Sequence, residues 1–168
     1  MKKVIYFAGG CFWGVQKYFD QFEGVLETVV GYANGHSQHP TYQEVKSQKS
    51  GHSETVKVIY ESDRISLKQL LDYYYRIIDP TSLNKQGEDE GISYRTGIYY
   101  VDKEDLDIIK KEKERRQQFY EIPIVVEILP LDHFYEGEEY HQKYLEKNPT
   151  GYCHIPFHMF SIRENEKW

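Results

Sequence analysis

A pair of adjacent glycines separates a short apolar run from residues with helical periodicity, and this junction constrains the fold more than any other part of the chain. Val4 to Ala8 is largely apolar and predicts a short buried strand. After the glycines, apolar side chains recur at the spacing of one helix face, at Phe12, Val15, Phe19 and Phe22. The pattern predicts a strand that turns through Gly9 and Gly10 into a helix, with Cys11 at the helix entrance.

Alternating and apolar segments elsewhere predict the rest of a sheet. Three of these segments read as strands, namely Val25 to Tyr32, Thr96 to Val101 and Ile124 to Leu129. Another strand is indicated by the alternation of Val56, Val58 and Tyr60. Glu54 has the same parity as these three residues, and side chains two residues apart lie on the same face of a strand. We therefore expect the carboxyl of Glu54 to point inward.

Capping signals mark where helices begin. Thr41 and Glu44 have the spacing of a capping box, which predicts a short helix from Tyr42. Ser66 and Gln69 repeat that spacing before an apolar helical stripe that ends at Asp79-Pro80. Two further helices are predicted, from about Lys103 to Tyr120 and from about Glu138 to Asn148.

The order of these elements predicts an α+β fold. We expect one two-layer domain over residues 1–168, with a mixed β-sheet, helices packed on it and a ferredoxin-like core. Asn148-Pro149 and Gly151 interrupt regular structure, so a mobile C-terminal tail is predicted from about residue 149.

Charge and cysteine usage narrow the class of protein. A formal net charge of -6 argues against a broad nucleic-acid or anionic-membrane surface, because both would require clustered Lys and Arg. We find neither an export signal nor an apolar stretch approaching the ~20 residues of a membrane span, so a cytoplasmic location is expected. In that reducing compartment, two cysteines are more often catalytic or metal-binding than permanently bonded.

The surroundings of Cys11 suit a reactive thiol. A helix N-terminus favours the thiolate, the nucleophilic form, through its unpaired backbone N–H groups and its dipole. Phe12 fits the apolar stripe of the helix, whereas Trp13 lies off the stripe and needs another surface to cover, for which a ligand is one candidate. The alternative is that Cys11 is a small buried hydrophobic residue.

The run Gly9-Gly10-Cys11-Phe12-Trp13-Gly14 resembles the active-site motif of the peptide methionine sulfoxide reductases of the A class. The resemblance extends along nearly the whole chain through further motifs in the family's order: Gly31-Tyr32, Pro40 to Val45, Gly51 to Glu54, Asp79-Pro80, Gly87 to Arg95, and Asn148 to Cys153.

The resemblance implies a role for each matched residue. Cys11 would attack the sulfoxide sulfur, and the sulfoxide oxygen would receive hydrogen bonds from Glu54, Tyr42 and Tyr94. Phe12 and Trp13 would hold the S-methyl group, and Asp89 would help to fix the substrate. Physically, attack at sulfur drives charge onto oxygen, so an acid that is still protonated near pH 7 is needed. A desolvated, inward-facing Glu54 meets that need.

Cys153 is, by the same resemblance, the second thiol. A sulfenic acid on Cys11 would condense with it to a disulfide, which thioredoxin would then reduce. The family further implies preference for the S epimer, with free or protein-bound methionine sulfoxide as substrate. We expect a monomer and no cofactor.

Other interpretations stay open on sequence alone. A cysteine hydrolase or acyl transferase would need a histidine beside Cys11, and a non-catalytic protein would bind oxidised methionine without turnover. His154 and His158 beside Cys153 have the spacing of metal ligands but lack an obvious fourth ligand, so no metal site is expected.

Two residues depart from the family pattern. Gln16 stands where glutamate is usual, which puts in doubt any role of that carboxylate. Asn34-Gly35 replaces the usual pair of glycines, a mild change because Asn tolerates left-handed backbone.

Overall fold

A mixed sheet of six strands organises the chain. The structure is a computed structural model that describes residues 1–161. The strands are β1 (Lys2–Gly9), β2 (Val25–Ala33), β3 (Ser53–Glu61), β4 (Lys85–Gln86), β5 (Asp89–Glu90), β6 (Thr96–Tyr100), β7 (Glu127–Pro130) and β8 (Phe134–Glu136). The helices are α1 (Phe12–Asp20), α2 (Tyr42–Lys46), α3 (Leu67–Arg76), α4 (Asp105–Gln117) and α5 (Tyr144–Lys147). The sheet order is β7-β6-β1-β3-β2-β8, while β4 and β5 form a separate hairpin.

The four central strands confirm the predicted ferredoxin-like core. Along the chain they run β1-α1-β2-β3-α3-β6, and in the sheet they lie in the order β6-β1-β3-β2 with antiparallel neighbours. Only the outer pair β6 and β7 is parallel in the described sheet, which makes it mixed. The α+β prediction is therefore confirmed.

Helices α1 and α3 cover the same face of the sheet. The ring of Phe7 on β1 stacks on Phe19 of α1 at 4.9 Å and on Tyr74 of α3 at 4.7 Å between centroids. On the opposite face Tyr6 lies in a smaller cluster, where the Phe134 ring covers it at 5.1 Å. The large core thus lies between the sheet and the two helices, as a two-layer fold requires.

Both predicted capping boxes are present. The Thr41 hydroxyl accepts the Glu44 backbone N–H at 3.2 Å, and the Glu44 carboxylate accepts the Thr41 N–H in return. Ser66 and Gln69 make the same reciprocal pair at the start of α3. Each pair satisfies backbone donors that a helix start leaves without an intrahelical partner, so these starts follow from local sequence.

The single helix predicted over Glu138–Asn148 is wrong. A short 3-10 turn (Glu139–His141) is followed by a break and then by α5. The break has a physical cause: the Gln142 side chain accepts the Val30 N–H at 3.0 Å and donates to the Val30 carbonyl at 2.9 Å, as a neighbouring strand would. Lys143 is then left-handed, with φ 56°. Tertiary bonds to β2 outweigh the helical preference of this segment.

Several predicted boundaries also differ from the structure. The strand predicted over Ile124 to Leu129 forms only at β7, and the helix predicted over Lys103 to Tyr120 is the shorter α4. Strand β8 was not expected, and neither was the β4–β5 hairpin in the loop before Arg95. None of the helices described over residues 1–161 is long and apolar enough to cross a membrane.

The segment after Asn148 packs on α1. Ile155 and Met159 are buried in the main core, and the Gln21 amide donates to the Met159 carbonyl at 2.8 Å. Mobility of this tail stays a prediction, and its last residues, 162–168, lie outside the described part of the chain.

Candidate active site

Glu54 is buried at the start of β3. As the alternation predicted, Glu54 is buried like Val56 and Val58, and only 2% of the residue is exposed. One carboxylate oxygen, Oε1, accepts the backbone N–H of Phe12 at 3.2 Å, whereas Oε2 has no hydrogen-bond partner within residues 1–161. Burial raises the pKa of Glu54 to about 8, against the opposing effect of the Phe12 N–H. The carboxyl is therefore protonated at neutral pH.

Cys11 caps α1 from the end of the β1 turn. Gly10 before it has φ +85°, a conformation that glycine adopts at no steric cost, and Cys11 itself is extended with φ -60° and ψ 122°. The thiol is free and only 7% exposed. Burial, followed by the charge of Glu54, raises the pKa of Cys11 well above its usual value, while the Trp13 backbone N–H acts in the opposite direction.

This pKa direction corrects the sequence argument about Cys11. The helix entrance does supply a backbone N–H, but that donor does not outweigh the cost of burying an anion beside a carboxyl. The resting state is a thiol next to a neutral carboxylic acid. Both groups thus hold a proton before any substrate arrives.

Tyr42 and Tyr94 are brought to the same place by two different loops. Tyr42 begins α2, where its backbone N–H donates to Glu138 Oε2 at 3.0 Å. Tyr94 ends a 3-10 turn (Ile92–Tyr94) whose Ser93 is held by Gln48, the Ser93 N–H donating to the Gln48 amide oxygen at 2.8 Å. Burial and then the Glu54 charge raise the pKa of both tyrosines. Each hydroxyl is therefore a hydrogen-bond donor at neutral pH.

Asp89 lies on β5, on the same side of the site. Its charge raises the pKa of Glu54 and Tyr94, and the pKa of Tyr152 is raised to about 12 by burial and then by Asp89. Asp89 Oδ2 is buried without a hydrogen-bond partner in the described chain. The site therefore combines a buried thiol, a neutral acid, two phenol donors and one further carboxyl.

The two aromatic residues after Cys11 have different environments. Phe12 is fully buried, in ring contact with Tyr42 at 6.5 Å between centroids. Trp13 is half-buried: its indole stacks on Tyr144 at 3.8 Å, and its Nε1–H donates to His141 Nδ1 at 3.0 Å. Trp13 was expected to cover another surface, and Tyr144 of α5 provides part of that surface.

His141 is a residue of the site that sequence reasoning missed. It is fully buried and its ring lies 4.3 Å from that of Tyr42 and 5.3 Å from that of Phe12. Because Nδ1 accepts from Trp13, the proton of the neutral ring is on Nε2, which has no acceptor among residues 1–161. Burial lowers the pKa of His141, so the ring stays neutral. No local motif marked it, since its segment read as an ordinary helix.

Gln16 explains one departure from the family pattern. This buried amide donates to the Thr28 carbonyl at 3.2 Å and accepts the Lys143 N–H at 2.8 Å. It therefore joins α1 to β2 and to the left-handed residue that precedes Tyr144. An ionised glutamate would lose the first of these bonds, because it has no proton to donate.

Asn34 explains the other departure. It has φ 55°, and its side-chain oxygen accepts the Asp132 N–H at 2.7 Å while its amide donates to the Pro130 carbonyl at 3.1 Å. The side chain thus joins the end of β2 to the last residue of β7 and to the segment that follows it, which a glycine could not do.

The side chain of Cys153 packs against the first turn of α1. A β-carbon added to Gly14 would lie 2.6 Å from Cys153 Sγ, so the sulfur touches the helix three residues after Cys11. The Ile155 N–H points at the same sulfur at 3.4 Å. Both thiols are free, and no group of three or more metal-binding side chains is assembled in the described residues. Gly14, which Cys153 Sγ contacts, lies about one helical turn, roughly 5 Å along the helix axis, from Cys11.

Comparison with known proteins identifies the family. The family described as Peptide methionine sulfoxide reductase matches residues 3–168. A Clostridium acetobutylicum protein named Peptide methionine sulfoxide reductase MsrA is 56% identical over 156 residues, covering 93% of this chain and 96% of that protein. The reduced form of Mxr1 from Saccharomyces cerevisiae superposes with a TM-score of 0.87 at 37% identity, covering 90% of this chain and 88% of that chain.

A second structure of yeast Mxr1 shows it in complex with Trx2, with a TM-score of 0.61 at 28% identity, covering 85% of this chain and 84% of that chain. Sequence motifs, fold and whole-chain matches agree. The chain belongs to the peptide methionine sulfoxide reductase family, in its A class.

Proposed function

We propose that Cys11 carries out the thiol-dependent reduction of the S epimer of methionine sulfoxide, with Glu54 as the acid. The observation that carries the proposal is the Phe12–Glu54 hydrogen bond, which holds a carboxyl with a pKa of about 8 beside the residue that follows Cys11. A carboxyl that keeps its proton at pH 7 is what attack on a sulfoxide needs.

The first step converts the thiol into a sulfenic acid. Cys11 Sγ attacks the sulfoxide sulfur as Glu54 protonates the oxygen, and the thiol proton replaces the one that Glu54 gives. The sulfur–oxygen bond of the substrate breaks and the oxygen passes to Cys11. Methionine sulfoxide is thereby reduced by two electrons to methionine, and Cys11 is oxidised by two. No external proton or electron is required at this stage.

The residues around Cys11 support the other roles that the sequence implies. Tyr42 and Tyr94, both protonated, would donate to the same oxygen as its negative charge grows. Phe12 and Trp13 would hold the methyl group, and Asp89 would help to fix the substrate. His141 accepts a hydrogen bond from Trp13, which orients the indole, and its own buried Nε2–H lies beside Phe12 and Tyr42.

Cys153 would then resolve the sulfenic acid as a disulfide. The Cys153 sulfur rests against Gly14. A disulfide requires the Cα atoms of Cys11 and Cys153 to lie about 4.4–6.8 Å apart. The C-terminal tail, which we take to be mobile from about residue 149, would bring the two sulfur atoms together. Thioredoxin would reduce the disulfide, as the complex of yeast Mxr1 with Trx2 supports.

We further infer a monomeric, cytoplasmic enzyme without a metal or other cofactor, acting on free or protein-bound methionine sulfoxide. Its acidic net charge of -6 supports the absence of a nucleic-acid or membrane partner.

One turnover without reductant tests the proposal. One equivalent of methionine per protein should form from the S epimer, with a mass loss of two hydrogens as Cys11 and Cys153 join. The R epimer should be unchanged, and Cys11→Ser should release none. Binding without methionine release, with both thiols intact, would instead favour a non-catalytic binder. An acyl-enzyme on Cys11 with an ester substrate would favour the hydrolase.

A further inference from the structure

The C-terminal segment around Cys153 lies across the entrance of α1 on two glycines that flank Cys11. A β-carbon on Gly14 would lie 2.6 Å from Cys153 Sγ, and one on Gly10 would lie 3.1 Å from both Cε1 and Nε2 of His154. Side chains at these positions would push the segment away. Two consecutive residues, a thiol and an imidazole, thus contact the glycine before Cys11 and the glycine three residues after it.

The His154 ring is largely enclosed. It also packs on Gly87, where an added β-carbon would lie 3.0 Å from His154 Cβ. Neither ring nitrogen makes a well-aligned hydrogen bond to the described chain, although the Gly9 carbonyl lies close enough to favour a proton on the ring. An enclosed imidazole whose nitrogens have no partner better than the Gly9 carbonyl costs stability, and a functional role of the ring would account for that cost.

Charged and titratable groups face this ring from several elements. Asp89 on β5 favours the protonated ring, and Tyr152 precedes Cys153 with its hydroxyl near Gly87. Burial lowers the pKa of His154, which keeps the resting ring neutral and able to accept a proton. Cys153, in contrast, has a raised pKa because its sulfur is desolvated. An acceptor therefore lies next in the sequence to a thiol that must lose its proton.

We propose that His154 takes the proton of Cys153 as the disulfide forms and passes it to the oxygen that leaves Cys11. The inference rests on the proposed function. The Cys153 sulfur attacks the sulfur of the Cys11 sulfenic acid, the sulfur–sulfur bond forms, and the sulfur–oxygen bond breaks. Hydroxide leaves and becomes water with the proton from the imidazolium. Atoms and electrons balance without another reactant.

The neighbouring acids are less suited to this step. Glu54 is protonated at neutral pH, so it cannot accept a proton. Asp89 already faces His154, and its negative charge stabilises the imidazolium that the transfer creates. Asp89 is thus the counter-charge and His154 the carrier of the proton.

The test separates the two chemical steps in one reaction. The reduced protein is mixed with excess methionine S-sulfoxide, methionine release is followed by quenched flow, and disulfide formation is followed by mass spectrometry after thiol trapping. His154→Ala removes the base, His154→Phe keeps an aromatic ring without a base, and His158→Ala is the control because His158 is exposed in the same segment.

Methionine release should stay within about twofold of wild type in all three variants. Disulfide formation should slow by roughly 10²-fold in His154→Ala and His154→Phe but not in His158→Ala. Added imidazole should restore the rate in His154→Ala, where the ring has left a space, and not in His154→Phe. In wild type the rate should reach a plateau with pH as the ring loses its proton, whereas in His154→Phe it should keep rising toward the pKa of Cys153.

If His154→Phe formed the disulfide at the wild-type rate and with the wild-type pH profile, the inference would be overturned. His154 would then be only a residue that packs on Gly10. Such a result would leave the proposed function standing, because methionine would still be released. Failure of the wild-type protein to release methionine would overturn both.

Discussion

The backbone N–H of Phe12 donates to Oε1 of Glu54 at 3.2 Å, and this bond joins the first residue of α1 to the start of β3. Because Phe12 follows Cys11 directly, the bond fixes the carboxyl beside the thiol. It also satisfies one of the N–H groups that a helix start leaves without an intrahelical partner. The bond favours the ionised carboxyl, yet burial prevails and the pKa of Glu54 rises to about 8.

The raised pKa predicts that Glu54 lowers stability in alkaline solution. The carboxyl has an ordinary pKa of 4.5 when unfolded and about 8 when folded, so the native state holds an extra proton between these values. The free energy of unfolding should therefore fall as pH rises from about 4.5 to 8, by about 3 kcal/mol at pH 7. Glu54→Gln, which keeps the acceptor for Phe12, should remove this dependence.

Urea unfolding of both proteins from pH 5 to 9 checks this prediction. The variant should be the more stable protein above pH 7, by a few kcal/mol. The exposed Glu121→Gln serves as the control and should follow wild type. Parallel curves for wild type and Glu54→Gln would mean that Glu54 titrates normally.

Gly14→Ala should loosen the docking of Cys153. Alanine normally stabilises a helix by about 1 kcal/mol relative to glycine. Here, however, the new β-carbon would lie 2.6 Å from Cys153 Sγ and 3.1 Å from Ile155 Cδ1. We expect a net loss of stability and slower disulfide formation after an unchanged burst of methionine, measured by thermal unfolding and by thiol trapping. A gain in Tm with unaltered disulfide kinetics would contradict this placement of the tail.

Cys153→Ser should separate the first turnover from recycling. The sulfenic acid on Cys11 forms without the second thiol, so one equivalent of methionine should still appear. Thioredoxin-supported turnover should collapse, because no intramolecular disulfide is available to reduce. The measurement is methionine release with and without thioredoxin, thioredoxin reductase and NADPH. Equal cycling in wild type and the variant would assign the resolving step elsewhere.

Gln16→Leu should destabilise the protein by about 2–4 kcal/mol, because the Thr28 carbonyl and the Lys143 N–H both lose their partner. Gln16→Glu keeps the acceptor for Lys143 and should cost less. Urea unfolding gives both values. Equal losses in the two variants would show that the bond to Lys143 contributes little.

Local signals were sufficient for much of the fold and for the burial of the Glu54 carboxyl. The parity of Glu54 with Val56 predicted an inward carboxyl, and the capping boxes predicted where α2 and α3 begin, since both depend on neighbours within a few residues. The position of Cys11 at the entrance of α1 likewise follows from the glycine turn.

The contacts of Trp13 with His141 and Tyr144 were not predictable from local pattern. His141 reaches Trp13 only because Gln142 pairs with β2 and Lys143 turns left-handed, and both depend on contacts far away in the sequence. The direction of the Cys11 pKa was not predictable for a related reason: a helix entrance can be read from sequence, but the burial that outweighs its effect on the pKa depends on the whole fold.

The pH dependence of a single turnover tests most directly whether protonated Glu54 delivers the proton to the sulfoxide. Methionine release from reduced protein and excess methionine S-sulfoxide is measured by quenched flow from pH 6 to 10, in wild type and in Glu54→Gln. The wild-type rate should fall above about pH 8, where Glu54 loses its proton, and the variant should be slower by roughly 10² without that fall. A variant as fast as wild type, or a wild-type rate that passes pH 8 undiminished, would contradict the account.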